Sequence, residues 1–389
     1  MKSIFYISRM NLSARKAHVF NTLKTCEALE ENGTPITFVT TLPMPDAHIF
    51  QKEVLDYVGI KKHINIVSLN SPVSGYLYST SIFKRMIAFV VDSYVISKYL
   101  FLQRKKINTL YLRDHLLIGV VMFSKLFLRK KIFFEAHYKL SKKISQFLVF
   151  LCVYYADGVI TITHSLEKIY KKINKHCITL FCAASEPELF VLDQTKESLR
   201  ESLDLPQNKI LIGYTGNMYL TGNNDSYGIE DVICALPLLS PGYVFVGVGK
   251  KDASNMQHEN LAKKLGVEDR VIILPWTNKS KVIDYITAFD VLVIPASGNR
   301  IGNSPTKIFE YLPSGRPIVA AQTDAITEVL SDRVNSFIVD YKNPQSWANA
   351  LSYVTTRDVS SIVSQAKKDA FMYTWSQRAK GIIGFVDSI

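Results

Sequence analysis

Several absences narrow this sequence before anything in it is read. Its 389 residues hold five cysteines, Cys26, Cys152, Cys177, Cys182 and Cys234, with no paired ligand spacing and no disulfide pattern. That argues against a structural zinc site or a disulfide-stapled secreted domain and makes a reducing cytosol the simplest home. Nor does any apolar run approach the roughly 20 residues that span a bilayer; the longest, such as Phe147–Ala156, is about half that. The N-terminal M-K-S-I-F-Y-I-S-R is a short apolar run followed by Arg9, so it reads as a first strand and not as a secretory signal. No G-x-G-x-x-G follows that strand, which argues against a dinucleotide site there. No metal-ligand set stands out.

Acidic residues are scarce in one half only. Residues 1–190 carry 26 Lys and Arg against 13 Asp and Glu, a net +13, while the remainder is close to neutral at −1. The excess concentrates in residues 81–143, with 14 basic and 3 acidic residues interleaved with aromatic and aliphatic ones. A basic, apolar helical face is the pattern of a surface resting on anionic lipid. Nucleic acid is the other partner such charge allows, but no nucleic-acid motif accompanies it, so none is expected. The remaining reading is a set of solvated helix faces over an ordinary core.

A chain of this length exceeds one ordinary core, so two domains are expected. Ser3–Ile7 reads as a strand, a helix runs to Glu31 with Asn32-Gly33 as its stop, and Ile36–Thr40 is a second strand. Such a β–α–β start favours a parallel sheet. Ile64–Leu69, Asn108–Leu112, Lys131–Glu135, Asp157–Thr163 and Ile178–Phe181 continue it, with a basic helical region over 80–105 and Ser165 as the cap of a later helix. Polar residues gather where strands end: Arg9, Asn11, Arg15 and His18 after the first, Arg113-Asp114 and Glu135-Ala136-His137 after later ones. Those are the places where open parallel sheets bind ligands. The pattern restarts with strands Ile210–Tyr214, Tyr243–Val248, Arg270–Leu274, Val291–Ile294 and Pro317–Ala321, separated by helices Ile229–Leu239, Met256–Leu265 and Lys279–Ala288. Two Rossmann-like units in tandem with a cleft between them are the expected architecture. Domain bounds of 1–185, 186–370 and a C-terminal helix over 371–389 that crosses back to the first domain follow from this reading.

The second half is organised around Asn299–Pro317, N-R-I-G-N-S-P-T-K-I-F-E-Y-L-P-S-G-R-P. Ser304 suits an N-cap, Pro305 the first helical position and Gly315 the stop, so a helix from Ser304 to about Leu312 is expected. A helix start after a strand and a glycine-bearing loop attracts anions. Lys307 in its first turn is unfavourable to the helix dipole unless a phosphate is there too. Glu310 is placed to accept hydrogen bonds from a ribose diol. Alone, the stretch reads equally well as an ordinary strand–loop–helix with a solvated Lys and Glu.

Taken together, S-P-T-K-I-F-E-Y-L-P-S-G-R-P-I-V-A at 304–320, I-G-Y-T-G-N at 212–217, A-D-G-V-I-T-I-T at 156–163, E-P-E-L-F at 186–190 and Y-T-W-S-Q-R-A at 373–379 resemble the retaining glycosyltransferases of family 4 (glycosyl transferases group 1). The resemblance implies an α/β, GT-B fold, two Rossmann-like β/α/β domains facing a central cleft. It implies a hexosyltransferase-like enzyme that moves a sugar from a UDP- or GDP-sugar to a glycan or lipid-linked acceptor in cell-surface polysaccharide or glycolipid synthesis, without metal or other cofactor. The cysteine usage places the protein in the cytoplasm, and the basic half suggests the lipid-linked acceptor and peripheral attachment to the anionic inner face of the membrane. Catalytic roles fall on His137, Lys307 and Glu310. Donor binding falls on Gly216, Asn217, Arg300, Ser304, Pro305, Thr306, Lys307 and Glu310. The acceptor side falls on Arg9, Asn11, Arg15, His18, Arg113, Asp114 and Glu135.

The chain departs from the pattern at three places. Many family members carry E-x7-E, and Gly302 stands where the first glutamate would be. Asn217 and Tyr227 replace basic residues common in the donor loop. Arg300 and Lys307 are then the cations left for a diphosphate. The alternatives are a sugar-nucleotide epimerase of the same fold, or a non-catalytic, membrane-associated sugar-binding protein with a weakened donor site.

Overall fold

The computed structural model describes residues 3–12, 17–43, 50, 54–55, 58–137, 143–191, 194–218, 228–249, 255–296 and 306–389. They form two compact units, Met1–Cys182 with Trp375–Ile389, and Ala183–Arg300 with Ser304–Thr374.

In the first unit β1 (Ile4–Ile7), α1 (Ala17–Glu31), β2 (Ile36–Thr40), β3 (Asn65–Ser68), α2 (Ile82–Leu102), β4 (Thr109–Leu112), α3 (Ile118–Phe123), β5 (Lys131–Ala136), α4 (Lys143–Tyr155), β6 (Gly158–Thr161), α5 (His164–Tyr170) and β7 (Cys177–Thr179) follow in order. Among the described residues these strands make a seven-stranded sheet in the order β3-β2-β1-β4-β5-β6-β7. Every pairing is parallel, with Ile4 opposite both Ile36 and Thr109. The strands read as near-continuous apolar runs because helices cover both faces. Strand order reverses between β1 and β4, and ligands gather outside the carboxyl ends at such a switch point.

Local signals set the helix ends. Gly33 has φ 79°, which ends α1 where Asn32-Gly33 indicates. The Ser81 side chain caps α2. Thr163, not Ser165, caps α5: its Oγ1 accepts from the Leu166 N–H, and Ser165 is already inside the helix. The inner faces of α2, α3 and α4 place Ile96, Leu100, Val121 and Val153 on Ile7, Leu112 and Phe134 of the sheet. Each such side chain contributes on the order of 1.5–3 kcal/mol. The C-terminal helix, Trp375–Ser388, belongs to this unit. Phe385 stands edge-on to Phe133 at 5.5 Å, and Trp375 to Phe20 at 6.0 Å.

The second unit opens with α6 (Lys196–Ser202) and continues through β8 (Ile210–Thr215), α7 (Ile229–Ala235), β9 (Tyr243–Gly249), α8 (Asn255–Lys264), β10 (Val271–Pro275), α9 (Lys279–Ala288), β11 (Val291–Ile294), α10 (Lys307–Tyr311), β12 (Ile318–Ala321), α11 (Asp324–Thr327), β13 (Phe337–Val339), α12 (Pro344–Thr356) and α13 (Ser360–Ala370). Its parallel sheet runs β10-β9-β8-β11-β12-β13, which repeats the first unit's order through six strands. Buried Arg200 ties α6 to this sheet, donating to the Ala288 carbonyl at 2.9 Å and to Asp290 at 2.6 Å. Asp290 in turn accepts from the Leu211 N–H at 2.7 Å. Gly213 is obligatory, since a Cβ there would lie 1.8 Å from the Phe289 ring.

Candidate active site

The second unit strips side chains from the carboxyl ends of its strands. Gly216, directly after β8, has φ 137° and donates its N–H to the Val248 carbonyl at 2.8 Å. A Cβ on Gly216 would lie 2.8 Å from Cε of Lys307, and one on Gly249 would lie 1.8 Å from the Gly216 carbonyl oxygen. At Gly228, with φ 78°, a Cβ would lie 2.7 Å from the Ala296 main chain. Only glycine fits such an edge, and it leaves backbone open to a ligand.

Two buried contacts hold α10 at this edge. The Tyr311 hydroxyl accepts from the Thr215 N–H at 2.8 Å, and Ser185 Oγ donates to the Phe309 carbonyl at 2.8 Å. Burial pushes the Tyr311 hydroxyl up, so it stays protonated. Lys307 Nζ then lies against Gly216 and donates to Glu310 Oε2 at 2.7 Å, with 40 % of the Glu310 side chain exposed. A half-exposed pair of this kind is worth little by itself, so an arriving anion can compete for the ammonium. Asn217 is exposed and its carbonyl accepts from Tyr214 Oη at 2.9 Å. Thr306 has helical φ and ψ and gives no side-chain cap. The described helix therefore begins at Lys307, later than the expected Ser304, and passes into a 3-10 turn at Leu312–Ser314. Arg300, Ser304 and Pro305, with Gly302 and Tyr227, lie outside the described residues.

In the first unit Glu135 ends β5 as a buried carboxylate. It accepts from Tyr111 Oη, from Arg378 Nη2 at 3.0 Å and from His137 Nε2 at 2.5 Å. Burial alone would raise its pKa, but Arg378 and His137 outweigh that and hold it well below the usual carboxylate range. Burial, then the Arg113 charge, depresses His137 to about 4, against the pull of Glu135. The ring is therefore neutral near pH 7, and its partners set the tautomer. Nε2 donates to Glu135, and Nδ1 accepts from Arg113 Nη2 at 3.2 Å. Both ring nitrogens are thus committed. Arg113 also donates to Thr22 Oγ1 at 2.8 Å and to the His18 carbonyl at 3.4 Å. Arg378 is anchored on the Leu180 carbonyl at 2.8 Å and on the Phe181 carbonyl.

Glu135, His137 and Arg113 thus form one network, which the sequence places together only as strand ends. Arg9, expected on the acceptor side, is buried. Its guanidinium turns inward, donating to Asp114 at 2.8 Å and to Asp92 at 3.3 Å. Burial is tolerable there because two carboxylates meet it, although Nη2 has no hydrogen-bond partner among the described residues. Asp114 also accepts from the Leu116 N–H at 2.9 Å. Asn11 is exposed and His18 half-buried; Arg15 lies outside the described residues. Three residues here escape the sequence reading. Asp92 had a signal, a lone acid within an apolar helix. Arg378 stood in a recognised landmark with no indication of its target, and Tyr111 had no signal at all. Among the described residues no group of three His, Cys, Asp or Glu could hold a metal ion.

Known proteins resemble this arrangement. Residues 209–357 match the family model described as glycosyl transferases group 1. A D-inositol 3-phosphate glycosyltransferase of Xylanimonas cellulosilytica is 26% identical over 190 residues, 48% of this chain and 44% of that protein. The matched stretch thus spans less than half of that relative's length. An uncharacterised glycosyltransferase of Methanocaldococcus jannaschii is 26% identical over 244 residues, 59% of this chain and 60% of that one. Among solved structures, Anabaena HepE in complex with UDP superposes with a TM-score of 0.76 at 16% identity, covering 100% of both chains. The apo lipopolysaccharide outer core galactosyltransferase WaaB gives 0.71 at 13% identity, covering 100% of this chain and 99% of that one. The chain has the GT-B fold, and its residues 209–357 are similar to the glycosyl transferases group 1.

Proposed function

We propose that the protein is a retaining glycosyltransferase of family 4, moving a sugar from a nucleotide-diphosphate sugar to a glycan or lipid-linked acceptor in cell-surface polysaccharide or glycolipid synthesis. One observation carries the reading: Gly216, Lys307 and Glu310 lie together at a side-chain-free strand edge, within residues that match a glycosyltransferase model. As the sugar becomes oxocarbenium-like, charge builds on the departing diphosphate. The Lys307 ammonium and nearby main-chain amides stabilise that charge, an effect that grows in the transition state. Glu310 accepts from the ribose hydroxyls, and its present bond to Lys307 keeps both groups oriented until a donor arrives. The acceptor hydroxyl attacks from the leaving-group face and passes its proton to the departing phosphate oxygen, so anomeric configuration is retained. No step draws on a metal.

In the first unit, Arg113 and Glu135 hold a neutral His137, which adds no charge beside a hydroxyl-bearing substrate. HepE structures contain UDP and UDP-glucose, which supports a uridine donor. The test is a panel of UDP- and GDP-sugars read by nucleotide release and by calorimetric binding. At least one donor should bind and turn over, and Glu310→Ala should weaken its binding at least tenfold. Failure of every donor to bind or release nucleotide defeats the proposal, and unchanged affinity in Glu310→Ala defeats the ribose assignment.

A further inference from the structure

The first unit's helix layer is apolar on both faces. α2, α3 and α4 follow consecutive parallel strands, so right-handed crossovers put them on one side of the sheet, and α3 packs between the other two. Their inner faces form the core. Outward, α2 exposes Phe83, Met86, Val90, Tyr94 and Phe101, at steps that trace one helical stripe. α4 repeats the pattern with Ile144, Phe147, Phe150 and Tyr154. Between them the turn after α3 exposes Leu126 and Phe127. These are not marginal exposures: Phe83 is 72%, Phe127 70% and Ile144 78% accessible. A groove of about 440 Å³ opens between α2 and α3, lined by Tyr94, Phe101 and Phe123 with Lys98 beside it, and continues the stripe. Isolated apolar residues at a surface are ordinary, but a contiguous patch of this size marks an interaction site.

Charge selects the occupant. Lys84, Arg85, Lys98 and the run Arg104–Lys106 are exposed along α2 and just beyond it, and Arg129 is exposed after the turn. Arg104 sits 4.4 Å from the Phe101 ring centre, and Lys84 5.5 Å from that of Tyr76. The acids of this region offer no counter-charge. Asp92 and Asp114 are taken by Arg9, Glu135 is buried under Arg378, and Asp157 is bonded by Lys125 at 2.5 Å. A second copy pairing through this face would press cations onto cations, because a two-fold interface is self-complementary. An anionic bilayer matches both features. A helix of 21 residues lying in the membrane plane covers roughly 30 Å. Lying flat also suits the dimensions: among the described residues no helix is long and apolar enough to cross a membrane.

We infer that the outer face of α2, α3 and α4 is a docking surface for anionic lipid bilayers, with the aromatic stripes in the headgroup layer and Lys84, Lys98 and Arg104–Lys106 on the lipid charge. This rests on the proposed lipid-linked acceptor for its purpose, but its test does not depend on turnover. The full chain is sedimented with vesicles of phosphatidylcholine, with or without phosphatidylglycerol. Binding should require the anionic lipid and weaken as salt rises. The variant Phe83→Ser/Phe127→Ser/Phe147→Ser, changed only at exposed positions, should partition on the order of tenfold more weakly or worse. Lys84→Gln and Lys98→Gln should each cost about fivefold. Far-ultraviolet circular dichroism and thermal melting should match wild type, which shows the variants are folded. Absence of binding to anionic vesicles overturns the inference, as does equal binding by the triple serine variant. A lipid-free dimer that the same substitutions dissolve also overturns it, by assigning the face to self-association. Vesicle binding without turnover of any donor would leave this surface standing and defeat only the enzymatic reading.

Discussion

Acid should destabilise the first unit through His137. The ring's pKa is about 4 in the folded chain and 6.5 as a free side chain, so the folded state binds fewer protons between those values. Above pH 6.5 neither state is protonated there and stability is at its full value. As pH falls from 6.5 towards 4, the unfolded chain takes up a proton that the folded one refuses, and stability drops; below that the contribution is constant. The loss amounts to about 3 kcal/mol, a large part of a domain's net stability. Glu135 acts in the same direction further down, because its folded pKa lies below the ordinary carboxylate value. The variant His137→Gln isolates the imidazole, since a glutamine amide can donate to Glu135 and accept from Arg113 without titrating. Urea midpoints followed by circular dichroism between about pH 7 and pH 4.5 should fall steeply for wild type and much less for the variant. Nuclear magnetic resonance titration should find one imidazole that stays neutral well below pH 6. Superimposable stability profiles, or a His137 signal that titrates near 6.5, would refute the reasoning.

Three further outcomes are expected. Gly216→Ala should lower donor affinity at least tenfold, because its φ of 137° disfavours alanine and the new Cβ would lie 2.8 Å from Lys307 Cε; calorimetry on a variant with unchanged melting checks it. Arg9→Met should destabilise by about 3–5 kcal/mol, because Asp92 is left buried without its cation, whereas pairing it with Asp92→Leu should recover much of the loss; denaturant midpoints decide. Iodoacetamide should label the native protein slowly, because burial raises the thiol pKa of Cys26, Cys152, Cys177 (to about 12) and Cys234, and unfolding in urea should speed labelling on the order of a hundredfold or more.

Much of the scaffold was legible because parallel strands covered on both faces are written as apolar runs. Val291–Ile294 and Lys279–Ala288 carry the bounds expected of them, and most other elements shift by one to three residues. Residues 322–370 were unread, since β13 is only Phe-Ile-Val, too short for alternation to register. α12 did carry a signal, Asn343 as cap with Pro344 at the first helical position. At the candidate site, glycine, lysine and glutamate could be chosen by chemistry, but their adjacency could not. The contacts that decide the first unit's chemistry join residues far apart: 83 positions separate Arg9 from Asp92, and 243 separate Glu135 from Arg378. A cationic loop residue such as Arg9 reads as a group for a ligand, and the sequence gives no sign that a distant helix brings it a carboxylate.

The two sheets share a strand order yet equip the same end differently, and on the proposed function the difference follows from what each kind of ligand group demands. A diphosphate is best met by amides and a cation that can approach without steric hindrance. The second unit accordingly removes side chains at Gly216, Gly228 and Gly249 and keeps one lysine in a weak, half-exposed pair that can be exchanged. The substrate hydroxyls of the proposed reaction demand fixed, uncharged partners. The first unit instead buries a carboxylate under Arg378, Tyr111 and His137, which determines the imidazole's tautomer, while burial and the Arg113 charge keep the ring neutral. The cost of burying that charge is offset only while all three partners are present. Loss of Arg378 should therefore change the protonation of His137 as well as the stability of β5, even though the arginine touches Glu135 and not the imidazole.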